Sequence, residues 1–223
     1  GARVFQDETI SKAADSIRSA ADSPVTADKS RVHLNALEAE GASYIVAVND
    51  KREFGPLWGR FGRSRERGVP QTVTLSYPAG WGAAPHDLVA SEKLKVRREG
   101  DQMRLELALP PTGAKVVCVL KTTPSEIQLD LGAERVHAGE TLMVSAELRG
   151  SRGQPVEGLI PAGLELLRPD GSLSDLGRHV AFRRGGLRLE LPIAHNAPAG
   201  TWTLRLREQA GAIAAETQFT VVK

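Results

Sequence analysis

Residues 51–70, KREFGPLWGRFGRSRERGVP, bring three large aromatics and five arginines into one short stretch. Phe54, Trp58 and Phe61 alternate there with Arg52, Arg60, Arg63, Arg65 and Arg67. Aromatic faces stack on sugar rings, and guanidinium groups pair bidentately with acidic groups. The same mixture suits single-stranded nucleic acid, whose bases stack on aromatics while arginines track the backbone. A structural role competes with both: Phe54 and Trp58 plug the end of a β-sandwich or dock it against a neighbouring domain. The plug-or-dock reading is favoured, with Phe54, Trp58, Arg60, Phe61 and Arg63 as the interface or ligand residues. Sugar or polyanion binding ranks next, and nucleic acid is not expected.

The other chemistry-bearing residues are dispersed. His33, His86, His137, His179 and His195 show no metal-ligand spacing, so they read as exposed loop or strand residues and no metal is expected. Cys118 sits in VVCVL, apolar on both sides. A buried small hydrophobe fits that setting better than a nucleophile, which needs accessible, electropositive surroundings. Glycoside hydrolysis needs two carboxylates held at a set separation across a sugar. Glu38 and Glu40 instead share one strand face, the solvated pattern. Asp50, following Asn49, reads as a turn. GRFGRSRERG lacks the spacing and the following helix of a phosphate loop. No catalytic constellation emerges, so neither an enzyme nor a cofactor is expected.

The elements around these residues change period along the chain. In DETISKAADSIRSAADS (7–23), Ile10, Ala13, Ala14, Ile17, Ala20 and Ala21 recur at helical spacing, with Asp7 or Thr9 as N-cap and Pro24 as stop. After it the period becomes two. VHLNALEAE (32–40), SYIVAVND (43–50), QTVTLSY (71–77), KLKVRREG (93–100), MRLELAL (103–109) and AKVVCVLK (114–121) read as strands split by Gly and Pro turns. The polar joint Thr122, Thr123, Pro124 restarts the register. EIQLDL (126–131), TLMVSAELRG (141–150), AGLELLRP (162–169), RHVAFRR (178–184), LRLELPI (187–193), TWTLRLRE (201–208) and ETQFTVV (216–222) follow. Strand-sized segments at short spacing, with no helices between them, imply antiparallel sandwiches.

Three of these pieces carry a resemblance. HAGET (137–141), LLRPDG (166–171) and LELPIAHNAPAGTWTLRL (189–206) resemble the immunoglobulin-like modules of the macroglobulin type, found in large extracellular and periplasmic bacterial proteins. The resemblance covers residues 126–223 and implies a sandwich, not an activity; the reactive thioester segment of macroglobulins has no match. VHLNALEAEGASYIVAVNDKREF (32–54) resembles the opening of β-sandwich domains that follow the catalytic domain in glycoside hydrolase-like proteins.

Composition bounds the rest. At 223 residues the chain has room for one large or two ordinary domains, and 41% hydrophobic with 25% charged residues is a globular balance. A net charge of +2 argues little for nucleic acid, and one cysteine excludes an intramolecular disulfide framework. There is no run of 18 apolar residues, so no membrane span is expected. The expectation is therefore all-β: an N-terminal helix within residues 1–25, the tail of an upstream domain, then two antiparallel β-sandwiches in tandem, 26–123 and an immunoglobulin-like 124–223. The expected role is a non-catalytic accessory region of a larger exported bacterial protein, periplasmic or extracellular. It would brace that protein's upstream domain; a carbohydrate-binding module using the 51–70 loop, with polysaccharide as partner, is the alternative.

Overall fold

The computed structural model describes residues 23–54, 58–59, 62–63 and 66–223. The helix expected over 7–23 lies, up to residue 22, outside the described residues. The described chain is all-β. Its first strand series comprises β1 (Thr26–Ala27), β2 (Val32–Ala39), β3 (Ala42–Asn49), β4 (Arg52–Phe54), β5 (Trp58–Gly59), β6 (Gly62–Arg63) and β7 (Glu66–Gly68). It continues with β8 (Gln71–Pro78), β9 (Ala84–Asp87), β10 (Glu92–Lys93), β11 (Val96–Glu99), β12 (Gln102–Leu109) and β13 (Ala114–Leu120). The second series is β14 (Pro124–Leu131), β15 (Arg135–His137), β16 (Thr141–Gly150) and β17 (Leu159–Leu167). It ends with β18 (Arg178–Arg183), β19 (Gly186–Pro192), β20 (Gly200–Glu208) and β21 (Ala214–Val222).

Alternation in sequence becomes alternation in burial. Along β12, Met103, Leu105, Leu107 and Leu109 are buried while Gln102, Arg104, Glu106 and Ala108 face solvent. β12 lies in a four-stranded sheet of order β1-β8-β12-β11, and the neighbouring sheet has order β10-β9-β13-β3-β2. Their facing side chains make one hydrophobic cluster: Val73, Leu75 and Tyr77 of β8 and the β12 leucines against Ile45, Ala47, Val117 and Val119.

The five-stranded sheet is buried on its other face as well. Ala42, Tyr44, Cys118 and Leu120 alternate with the residues just named and join a second cluster, built on Leu148, Ile160, Leu166, Phe182, Trp202, Leu204 and Phe219. This is why AKVVCVL reads as a continuous apolar run: a central strand covered twice has no polar face.

The second series forms one hydrogen-bonded ladder, β14-β16-β19-β18-β17-β20-β21-β15, folded back on itself. β18 and β19 meet at their hairpin through Arg183↔Gly186, which divides the ladder into two layers. The start of the series is split between them: β14 pairs antiparallel with β16, while β15 pairs parallel with the last strand, β21. A first strand shared between layers, and a three-plus-five division by this connectivity, is an immunoglobulin-like sandwich. In β20, Trp202, Leu204 and Leu206 are buried. The Trp202 indole also donates to the Pro198 carbonyl (3.0 Å) and lies beside Phe219.

Each cluster should carry its own share of stability. Leu105→Ala in the first and Leu204→Ala in the second should each cost about 2–5 kcal/mol. A lower urea midpoint at unchanged slope checks this.

Candidate functional site

In the aromatic and arginine-rich stretch, whose composition suggested a loop, the described residues form two short strand pairs, an arm. β4 pairs antiparallel with β7, placing Arg52 opposite Gly68, Glu53 opposite Arg67 and Phe54 opposite Glu66. Farther out β5 pairs with β6, so Trp58 and Arg63 are cross-strand partners. Gly59 and Gly62 lie opposite each other in that pair. Of the five residues named from sequence, Phe54 is 63% exposed. Trp58 and Arg63 are brought into register, and Arg60 and Phe61 lie outside the described residues. The arm also concentrates charge. Residues 51–70 hold six basic and two acidic side chains, net +4 in a chain of net +2.

Asn49 fastens the arm at its base. Buried at the end of β3, its amide nitrogen donates to the carbonyls of Val69 (2.8 Å) and Pro110 (2.9 Å). Its amide oxygen accepts from the Lys51 backbone N–H (3.1 Å) and from Gln71 Nε2 (2.8 Å). Both ends of the arm are thereby tied to one side chain, and the Val69 N–H donates to the Lys51 carbonyl across the gap (3.0 Å). Asp50 beside it faces Arg52 at 2.8 Å and His33 at 3.7 Å. The Arg52 hydrogen bond and charge hold its carboxyl below the usual carboxylate range.

A second constellation lies where the five-stranded sheet meets the second strand series. Tyr44, Cys118 and His86 sit side by side on β3, β13 and β9, in direct register. The Tyr44 hydroxyl donates to the Leu159 carbonyl (2.7 Å) and accepts from the Leu159 N–H (2.8 Å). His86 Nδ1 lies 2.8 Å from the Ala210 carbonyl oxygen. At the rim, Glu40 pairs with Arg184 (2.9 Å) and Arg183 (3.3 Å). Gly158, at φ +137°, leaves room there for Ala42 and Leu120. The polar joint after β13 therefore connects two series that are fastened face to face.

Burial governs the chemistry of this row. It pushes the Cys118 thiol up to about 12, raises the Tyr44 phenol well above its ordinary value, and lowers the His86 imidazole. A thiol so held is a core residue, as its strand implied. His86 corrects the sequence reading, being 1% exposed where an exposed residue was expected. Glu40 corrects it too: it sits in the turn after β2 at φ +53°, not on a strand face beside Glu38. Among the described residues, no three His, Cys, Asp or Glu side chains gather as metal ligands, and no helix is long and apolar enough to cross a membrane.

No protein-family model matches the chain, and no curated protein matches it. Solved structures overlap it loosely. The Yersinia pseudotuberculosis adhesin InvE covers 86% of this chain at 11% identity and a TM-score of 0.38. A variant of Salmonella alpha-2-macroglobulin covers 87% at 16% identity, TM-score 0.36. A β-glycosidase from Bacteroides vulgatus covers 86% at 12% identity, TM-score 0.35. The chain spans 59%, 12% and 25% of those proteins respectively.

Two outcomes follow from this geometry. Asn49→Ala should strip the arm's base of its clamp and cost about 2 kcal/mol, with faster hydrogen exchange at the Lys51 amide. Cys118 should react with a thiol reagent at pH 8 at least about a thousandfold more slowly in the native than in the unfolded protein. That gap is set by its pKa near 12 against an ordinary value of about 8.5.

Proposed function

We propose that the chain is a non-catalytic accessory region of a larger exported, periplasmic or extracellular bacterial protein. It is built as two sandwiches in tandem, 26–123 and 124–223, behind a segment 1–25 belonging to an upstream domain. Its work is to hold that neighbouring domain, glycoside hydrolase-like by the motif in residues 32–54, in a fixed position.

The observation that supports this is a seat left half empty. The second strand series covers the outer face of the five-stranded sheet at Tyr44, Cys118 and Leu120. The same face continues past that footprint through Val46 and Val116 to Val48, and Leu37 at its edge is 54% exposed. Phe54, on the clamped arm that follows β3, is exposed as well. Apolar area gathered in this way, rimmed by charge, is the usual mark of a contact surface.

Cysteine cross-linking within the parent polypeptide tests the reading. Leu37→Cys and Val48→Cys should capture a neighbouring domain, while Leu173→Cys, exposed on the second series, should not. Equal capture from all three positions would remove the brace.

The alternative, a carbohydrate-binding module, rests on the exposed Phe54 and the arm's net charge. Retardation of the chain in gels containing an anionic polysaccharide, abolished by Phe54→Ala and Trp58→Ala together, would favour it over bracing.

A further inference from the structure

His86 makes its hydrogen bond across the seam between the two strand series. Its Nδ1 faces the carbonyl of Ala210, which lies in the turn after β20 and 124 residues away in sequence. A carbonyl can only accept, so Nδ1 carries the hydrogen and Nε2 presents a bare lone pair. Among the described residues Nε2 has no hydrogen-bond partner, although the ring is buried. A second proton would therefore place a full charge and an unanswered donor inside an apolar seam.

Of the charged groups on this side of the seam, one adds to that cost and the other is a carboxylate occupied by its own turn. Lys93, its register partner on β10, is a cation and works against a second one. Cys118 and Tyr44, in the same row on β13 and β3, are held neutral by burial. Glu208, at the end of β20, is the carboxylate on the opposing side. Its two oxygens are taken up by the backbone N–H groups of Ala210, Gly211 (2.8 Å) and Ile213 (2.9 Å).

We propose that His86 is an acid-sensitive latch, whose protonation releases the second strand series from the five-stranded sheet while each series keeps its own fold. The direction follows from linkage. Burial lowers the imidazole's affinity for its proton in the closed form, while an opened ring titrates near its ordinary value of about 6.5. The closed form is thus at full strength above that pH and loses ground as pH falls through it. The opening equilibrium gains up to about tenfold per pH unit. The brace becomes one that lets go in acidified surroundings, and this holds whichever domain it carries.

Cys118 reports the opening, because it lies in the same buried row. Its labelling rate by a pyridyl disulfide reagent is compared at pH 7.5 and 5.5 between the native chain and His86→Asn. The amide N–H of asparagine replaces Nδ1–H and does not titrate, and the thiol's own pH dependence cancels in the ratio. The ratio of native to variant rates should rise up to about tenfold on acidification, with hydrogen exchange at the Leu75 and Leu204 amides unchanged. Tyr44→Phe should speed labelling equally at both pH values. If His86→Asn does not fold, the native rate divided by that of a small free thiol at each pH serves instead. A flat ratio overturns the latch, and so does loss of protection at Leu75 and Leu204 in step with Cys118 exposure.

Discussion

A sheet that is apolar on both faces must be covered twice, and the five-stranded sheet built around β13 sets that demand for the whole chain. Val117 and Val119 point into the cluster shared with β8 and β12, while Cys118 and Leu120 point the other way. Water on either side would expose several large side chains, each costing about 1.5–3 kcal/mol to leave uncovered. The immunoglobulin-like sandwich is therefore more than an appendage on a linker. It supplies the second cover.

Polar groups caught in that seam had to be answered one by one. Tyr44 meets both backbone groups of Leu159, so one hydroxyl serves as donor and acceptor at a point where neither series could satisfy it by itself. The Glu208 carboxylate is wrapped by backbone N–H groups of its own turn. His86 is the exception, answered at one nitrogen, and that asymmetry gives the seam its sensitivity to protons. Beyond the footprint of the second series the sheet face stays open, beside an arm whose base hangs on Asn49. Closed seam and open seat are two halves of one surface.

Much of this was legible in the sequence where alternation carried it. MRLELAL and TWTLRLRE announce their buried sides residue by residue, and VVCVL announces a strand with no solvent face. The immunoglobulin-like sandwich of the second series is what the resemblance of HAGET, LLRPDG and LELPIAHNAPAGTWTLRL implies. The misses share a cause. β9 reads APHD, with a proline, an acid and a histidine where strand signals look for branched or aromatic residues. Its burial comes from partners far along the chain, Ala210 for His86 and Lys115 for Asp87. β15, three residues long, is held by its parallel pairing with β21 rather than by any pattern of its own. In the arm, glycines and arginines mask the strand pairing. Asn49 carries no pattern signal either; its value lies in an amide that bonds four ways.

The doubly covered sheet locks the two strand series into one rigid body. Residual dipolar couplings of backbone amides, collected at pH 7.5 in one alignment medium, test it directly. A single alignment tensor should fit β8, β12 and β13 together with β16, β17 and β20, in the relative orientation that the Tyr44–Leu159 pairing fixes. Two tensors of different magnitude, one for each series, would mean that they move independently and that the seam does not hold.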